Sequence, residues 1–121
     1  MKNYISFVEI PVTDFDRAKK FYESILRIQI EVVDMGEEKM GLFPNDGKNV
    51  SAALLIGESQ RPSKEGVTAY LNADEDLQVV LDKVEPSGGK VHVEKTEMPD
   101  SAYFAAFIDT EGNRIGLISA G

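Results

Sequence analysis

The 121-residue chain contains no cysteine, one histidine and no excess of basic residues. Without cysteine, the chain itself can form no disulfide, thiolate zinc site, iron–sulfur cluster or cysteine nucleophile. Long apolar runs are also missing. Nothing approaches the roughly 18 residues that span a bilayer, and the opening MKNYISFVEI has no apolar secretion-signal region. These absences read as a cytoplasmic protein with no membrane partner. Thirteen Lys and Arg stand against 21 Asp and Glu, for a net charge of -8. That balance excludes a nucleic-acid footprint, which needs clustered cations to neutralise phosphates. A negative field draws cationic small molecules, although its ordinary role is to keep a small protein soluble. With 42% apolar residues the chain can fill one core, so residues 1–121 are read as a single domain.

Tyr4 to Val12 alternates as a strand, with Ile5, Phe7 and Glu9 on one face and Ser6, Val8 and Ile10 on the other. Asp14 is placed to cap a helix whose apolar face is Phe15, Ala18, Phe21, Tyr22, Ile25 and Leu26. Three β-prone runs follow, Ile28–Asp34, Lys39–Phe43 and Asn49–Ile56, separated by turn signals at Met35-Gly36 and Pro44–Gly47. After a polar, proline-interrupted linker over 58–66, the pattern restarts. Val67–Leu71 is a strand, and Asp74, Glu75 and Asp76 suit a helix N-terminus. Leu77, Val80, Leu81 and Val84 form the second helix's apolar stripe, stopped by Pro86 and Gly88-Gly89. Lys90–Glu94, Tyr103–Ile108 and Arg114–Ile118 supply three more strands, with Asp109–Asn113 (DTEGN) turning between the last two. The sequence therefore predicts an α+β fold of two tandem βαβββ modules, 1–57 and 67–121, whose curved mixed sheet surrounds a cleft.

VEIPVTDFDRAKKFYESIL and GGKVHVEKTEMPDSAYFAAFIDTEGNRIGLIS resemble the opening and closing segments of the vicinal-oxygen-chelate superfamily. That superfamily includes lactoylglutathione lyase, bleomycin-resistance protein and extradiol dioxygenase, and the resemblance spans nearly the whole chain. It implies a homodimer. It also implies four metal-ligand positions, which fall on Phe7, near Ala53 and Leu54, within Val67–Ala69, and on Gly116. None carries the His or Glu that metal-dependent members place there, so no metal or other cofactor is expected. The single histidine, His92, falls on a different strand and is assigned no role.

The residues expected to line the cleft are Phe7, Glu9, Tyr70, Tyr103, Arg114 and Gly116. Tyr103, Phe104 and Phe107 suit core packing as well as a cleft wall. Glu9, beside an apolar wall, suits a general base or a partner for a cationic group, and equally a structural hydrogen bond. The sequence reading is thus a protein that binds or sequesters a small, cationic or aromatic molecule in an apolar cleft. The alternative is a lyase, isomerase or dioxygenase related to lactoylglutathione lyase with Glu9 as its acid–base group. Fold alone does not choose between the two.

Overall fold

The computed structural model describes residues 4–58 and 60–121, so Ser59 of the expected linker lies outside the described residues. The chain runs β1 (Phe7–Pro11), α1 (Phe15–Leu26), β2 (Glu31–Asp34), β3 (Lys39–Leu42) and β4 (Ser51–Ile56). It continues through β5 (Ala69–Asn72), α2 (Leu77–Val84), β6 (Lys90–Glu97), β7 (Tyr103–Ile108) and β8 (Arg114–Ser119). Each half is strand, helix, three strands, as the periodicity predicts.

Both helices start where a short acid can accept from an unpaired backbone N–H. Asp14 accepts from the Arg17 N–H at 3.1 Å, and Asp76 accepts from the Gln78 N–H at 2.9 Å. Of the three acids expected at the second start, only Asp76 is the cap. Asp74 adopts a left-handed conformation, and its N–H donates to the Asn72 side chain. The expected first strand shortens to Phe7–Pro11. β2 begins at Glu31 rather than Ile28, because α1 ends on left-handed Arg27 (φ 57°) and the Ile30 N–H donates back to Glu23 Oε2 at 2.8 Å. Those two constraints hold 28–30 against the helix end instead of a neighbouring strand. The helix stop at Gly88-Gly89 is local too. Gly88 takes φ 107° and the Gly89 N–H closes onto the Val84 carbonyl at 2.9 Å.

Two separately hydrogen-bonded four-stranded sheets result, in the orders β1-β4-β3-β2 and β5-β8-β7-β6. In each, the first strand pairs in parallel with the last and the remaining pairs are antiparallel. β1 and β5 are therefore both edge strands. One face of each sheet meets the helices, and these two faces share a single core that includes Ile10, Phe21, Tyr22, Leu54, Leu77, Phe107, Ile115 and Leu117. Because both helix-facing surfaces converge on one core, the two opposite faces point away from each other.

Polar groups fasten the halves where α1 meets the DTEGN turn. The Glu111 carboxylate, its side chain fully buried, accepts from the Thr13 and Asp14 N–H groups at 2.9 and 2.8 Å, from Thr13 Oγ1 at 3.0 Å, and from Arg17 Nε at 2.7 Å. Buried Asp109 accepts the Tyr22 hydroxyl at 2.6 Å and the Asn113 side-chain amide at 3.0 Å. That amide also donates to the Pro11 carbonyl at 2.7 Å. The turn read from sequence as a strand connector is thus also the joint between the two modules.

Candidate functional site

Side-chain alternation assigns the expected site residues to faces. On β1, Val8 and Ile10 pack toward the core, which leaves Phe7 and Glu9 on the open face of the first sheet, both exposed. Ala53 lies across from Glu9, and Ser51 lies across from Phe7. On β8, Ile115 and Leu117 are core residues, so Arg114, Gly116 and Ile118 lie on the open face of the second sheet. Tyr70 pairs with Gly116 across the parallel ladder. Its ring lies directly against the glycine, so that a β-carbon at 116 would collide with Cδ2, Cε2 and Cγ of that ring. Gly116 is needed here to let an aromatic ring lie flat on the sheet.

Arg114 is half-buried at the next open-face position. Its Nε and Nη2 both donate to Thr68 Oγ1, at 2.9 and 2.5 Å. No carboxylate pairs with it among the described residues. The Arg114 N–H reaches the Ser63 carbonyl at 3.4 Å, and the Ser63 N–H donates to Asn113 Oδ1 at 3.1 Å, which ties the linker to the start of β8. Thr68 had no place in the sequence reading. The signal was available, since Thr68 stands two residues before Tyr70 and therefore on its face.

Tyr103 belongs elsewhere. It pairs with Ser119, whose hydroxyl accepts from the first N–H of α2, and it packs on the helix side of its sheet with the Lys95 ammonium 4.7 Å above its ring. The structure thus brings Tyr70, Arg114 and Gly116 together, and Phe7 with Glu9, but on different sheets, and it leaves Tyr103 behind the second. His92 is exposed on β6.

A groove of about 740 Å³ opens between the free edges β1 and β5. It is walled mainly by apolar side chains, among them Ile5, Val8, Phe43, Val67, Leu71 and Val80. Its lining carries unusual exposure for large apolar groups, with Val67 at 98%, Ile5 at 56% and Tyr70 at 51%. The donors needed for a divalent ion are not gathered here. The four positions inferred from resemblance present a phenyl ring, alanine or leucine, the stretch Val67–Ala69, and a glycine under a tyrosine. Among the described residues no three His, Cys, Asp or Glu side chains cluster to hold a metal. No described helix is long and apolar enough to cross a membrane.

Residues 4–117 match the sequence family described as the Glyoxalase/Bleomycin resistance protein/Dioxygenase superfamily. A glyoxylase-like domain-containing protein from Didymella fabae is 32% identical over 113 residues, covering 90% of this chain and 88% of its own. Among solved structures, a glyoxylase/bleomycin resistance protein/dioxygenase domain from Frankia sp. EAN1pec superposes with a TM-score of 0.75 at 17% identity, covering 98% and 93% of the two chains. A glyoxalase I variant from Zea mays gives a TM-score of 0.73 at 20% identity, covering 95% of this chain. This chain spans about half of that maize protein, at 46%. The fosfomycin resistance protein FosX from Listeria monocytogenes gives 0.69 at 14% identity, covering 100% and 94%. At these identities the solved structures establish the shared fold.

Proposed function

Because the chain belongs to the glyoxalase/bleomycin resistance protein/dioxygenase superfamily, we propose that it is a cytoplasmic, homodimeric binding protein that holds a small aromatic or apolar molecule without divalent-metal chemistry. The observation that carries this reading is the content of the two open faces. They offer Phe7 and Glu9 on one side and Tyr70 on Gly116, with Arg114, on the other, which is contact surface and charge rather than a ligand set.

Two copies related by a two-fold axis would place β1 of one beside β5 of the other. This pairing satisfies both free edges at once and buries the exposed Ile5 and Val67 with the groove. In that arrangement Phe7 and Glu9 of one copy face Tyr70, Arg114 and Gly116 of the other across a single cleft. Sedimentation velocity is expected to give twice the chain mass, and Val67→Asp to give a monomer. Val67 is almost fully exposed in the lone chain, so the substitution should barely touch the fold itself. A wild-type monomer at working concentration would sink the two-chain cleft.

The binding role has its own readout. A ligand that binds only the folded protein raises its stability by RT ln(1 + [L]/Kd), so a thermal-shift library should contain stabilising aromatic compounds. A parallel series in nickel, zinc, manganese, iron and cobalt should leave the melting temperature unchanged. Stoichiometric metal in tag-free protein would overturn the metal-independent reading.

Enzymatic use of the same cleft is the second reading. It is favoured by the position of Glu9, an exposed carboxylate beside Phe7 on the cleft face. Glu9→Gln should abolish turnover of any substrate found if Glu9 moves a proton, and should leave binding by an apolar cleft largely intact.

A further inference from the structure

The net charge of -8 favours a cationic ligand in general, but the second sheet's open face is built for the opposite sign. Arg114 is half-buried in an acidic protein, and it spends two of its N–H groups on a hydroxyl rather than on a carboxylate. A guanidinium carries five donors in a rigid plane, so the remaining N–H groups are held in a fixed orientation by the Thr68 anchor. Hydrogen bonding to a neutral oxygen leaves its charge uncompensated, and a partly desolvated cation in that state gains most from an incoming anion.

Tyr70 supplies the other half. Its ring is pressed onto Gly116 on one side, and the residue is half exposed on the other. Arg114 and Gly116 are two residues apart on β8, a spacing of about 6.6 Å along a strand. An aromatic ring stacked on Tyr70 would therefore carry a carboxylate attached directly, or through one methylene, to within reach of the Arg114 fork. Exposed Ile118, two residues beyond Gly116 on the same face, offers an apolar wall to the far side of that ring.

We infer that Tyr70, Arg114 and Thr68 form a subsite for the carboxylate end of an aromatic acid. All three residues belong to one module, so the subsite exists in each chain. It rests on the small-molecule reading above, but not on the dimer. It also assigns the ligand a negative charge, opposite in sign to the cationic molecule expected from the net charge of the sequence. Tyr70 provides the stacking floor, Arg114 the paired donors, and Thr68 holds the guanidinium in its plane. Thr68 is a positioning residue.

Titration calorimetry with three probes of matched shape tests this. Phenylacetate is expected to bind at least about tenfold more tightly than phenylacetamide, as a charge-assisted hydrogen bond contributes more than a neutral one. Benzylammonium is expected to bind more weakly than either. Arg114→Gln should erase the preference for the acid over the amide. Tyr70→Ala should weaken both while keeping their ratio. If Arg114→Gln folds poorly by circular dichroism, Thr68→Val tests the same point, because it frees the guanidinium without removing its charge and should lower only the acid's affinity. Preference for benzylammonium, or acid binding undiminished in Arg114→Gln and Thr68→Val, would overturn the subsite while leaving a small-molecule cleft in place. Failure of all three probes at millimolar concentration would also overturn it. The cleft reading would then still stand or fall on its own library screen.

Discussion

Glu111→Gln is expected to lower stability by about 2–3 kcal/mol and to flatten the acid limb of the stability profile. Burial alone would raise the Glu111 carboxyl. Hydrogen bonds from the Arg17 side chain, the Asp14 and Thr13 N–H groups and the Thr110 hydroxyl outweigh it and hold the group at about 2, against an ordinary 4.5. A carboxyl depressed on folding contributes its full stabilisation above the unfolded value, and that contribution is lost as pH falls through the folded one. The window is therefore from about 4.5 down to about 2. The full linkage energy of that shift is about 3 kcal/mol, and the lower end of the expected range allows for screening at the half-exposed Arg17. A glutamine keeps the shape but offers one acceptor oxygen where two were in use, and it turns an N–H donor toward Arg17. Urea melts of both proteins at pH 7, 4 and 2.5 measure this directly. The difference between them should be largest at pH 7 and should shrink toward pH 2.5. A constant difference would mean that packing, not the charged network, sets the cost.

The same residue shows which parts of this molecule are legible in sequence. The two βαβββ modules follow from local signals. Asp14 and Asp76 cap helices because a short carboxylate can reach the next turn's N–H, and alternating strands reveal which face is apolar. DTEGN reads as a turn for equally local reasons. That its Glu111 closes onto the start of α1, 97 positions away for Asp14, depends on where two modules dock, and no residue spacing encodes that. The site divides along the same line. Period-two alternation puts Phe7 on one face with Glu9, and Arg114 on one face with Gly116, but that Tyr70 joins the second pair depends on the pairing of β5 with β8. Their separation onto two diverging sheets is a tertiary fact that alternation does not contain. Tyr103 shows the limit within a single strand. β7 carries aromatic residues at two successive positions, Tyr103 and Phe104, and again at Phe107, so composition does not say which face is core. The ladder decides it: Tyr103 opposes Ser119, which serves α2, while Phe104 opposes the open-face Ile118.

That facing pattern leads to the largest effect expected of a single apolar substitution. Phe107→Ala should cost about 3–5 kcal/mol, a large part of the 5–15 kcal/mol by which a domain is ordinarily stable. Phe107 is fully buried, and its ring lies 5.8 Å from that of Phe21 and 6.4 Å from that of Tyr22. Tyr22 in turn lies 5.7 Å from Phe43 of the first module. Phe107 is the second module's member of this aromatic cluster, so its loss opens a cavity at the contact between modules, not within either one. The Tyr22 hydroxyl is held by Asp109 at 2.6 Å, which prevents its ring from moving in to fill the space. Little collapse means a large cavity term. Phe104→Ala, on the opposite face of the same strand, should cost less than half as much, because its ring is only partly buried. Paired denaturant melts of the two variants test the facing pattern itself. Equal losses would place both rings in the core and contradict an open face on the second sheet, and with it the surface on which Tyr70 and Arg114 stand.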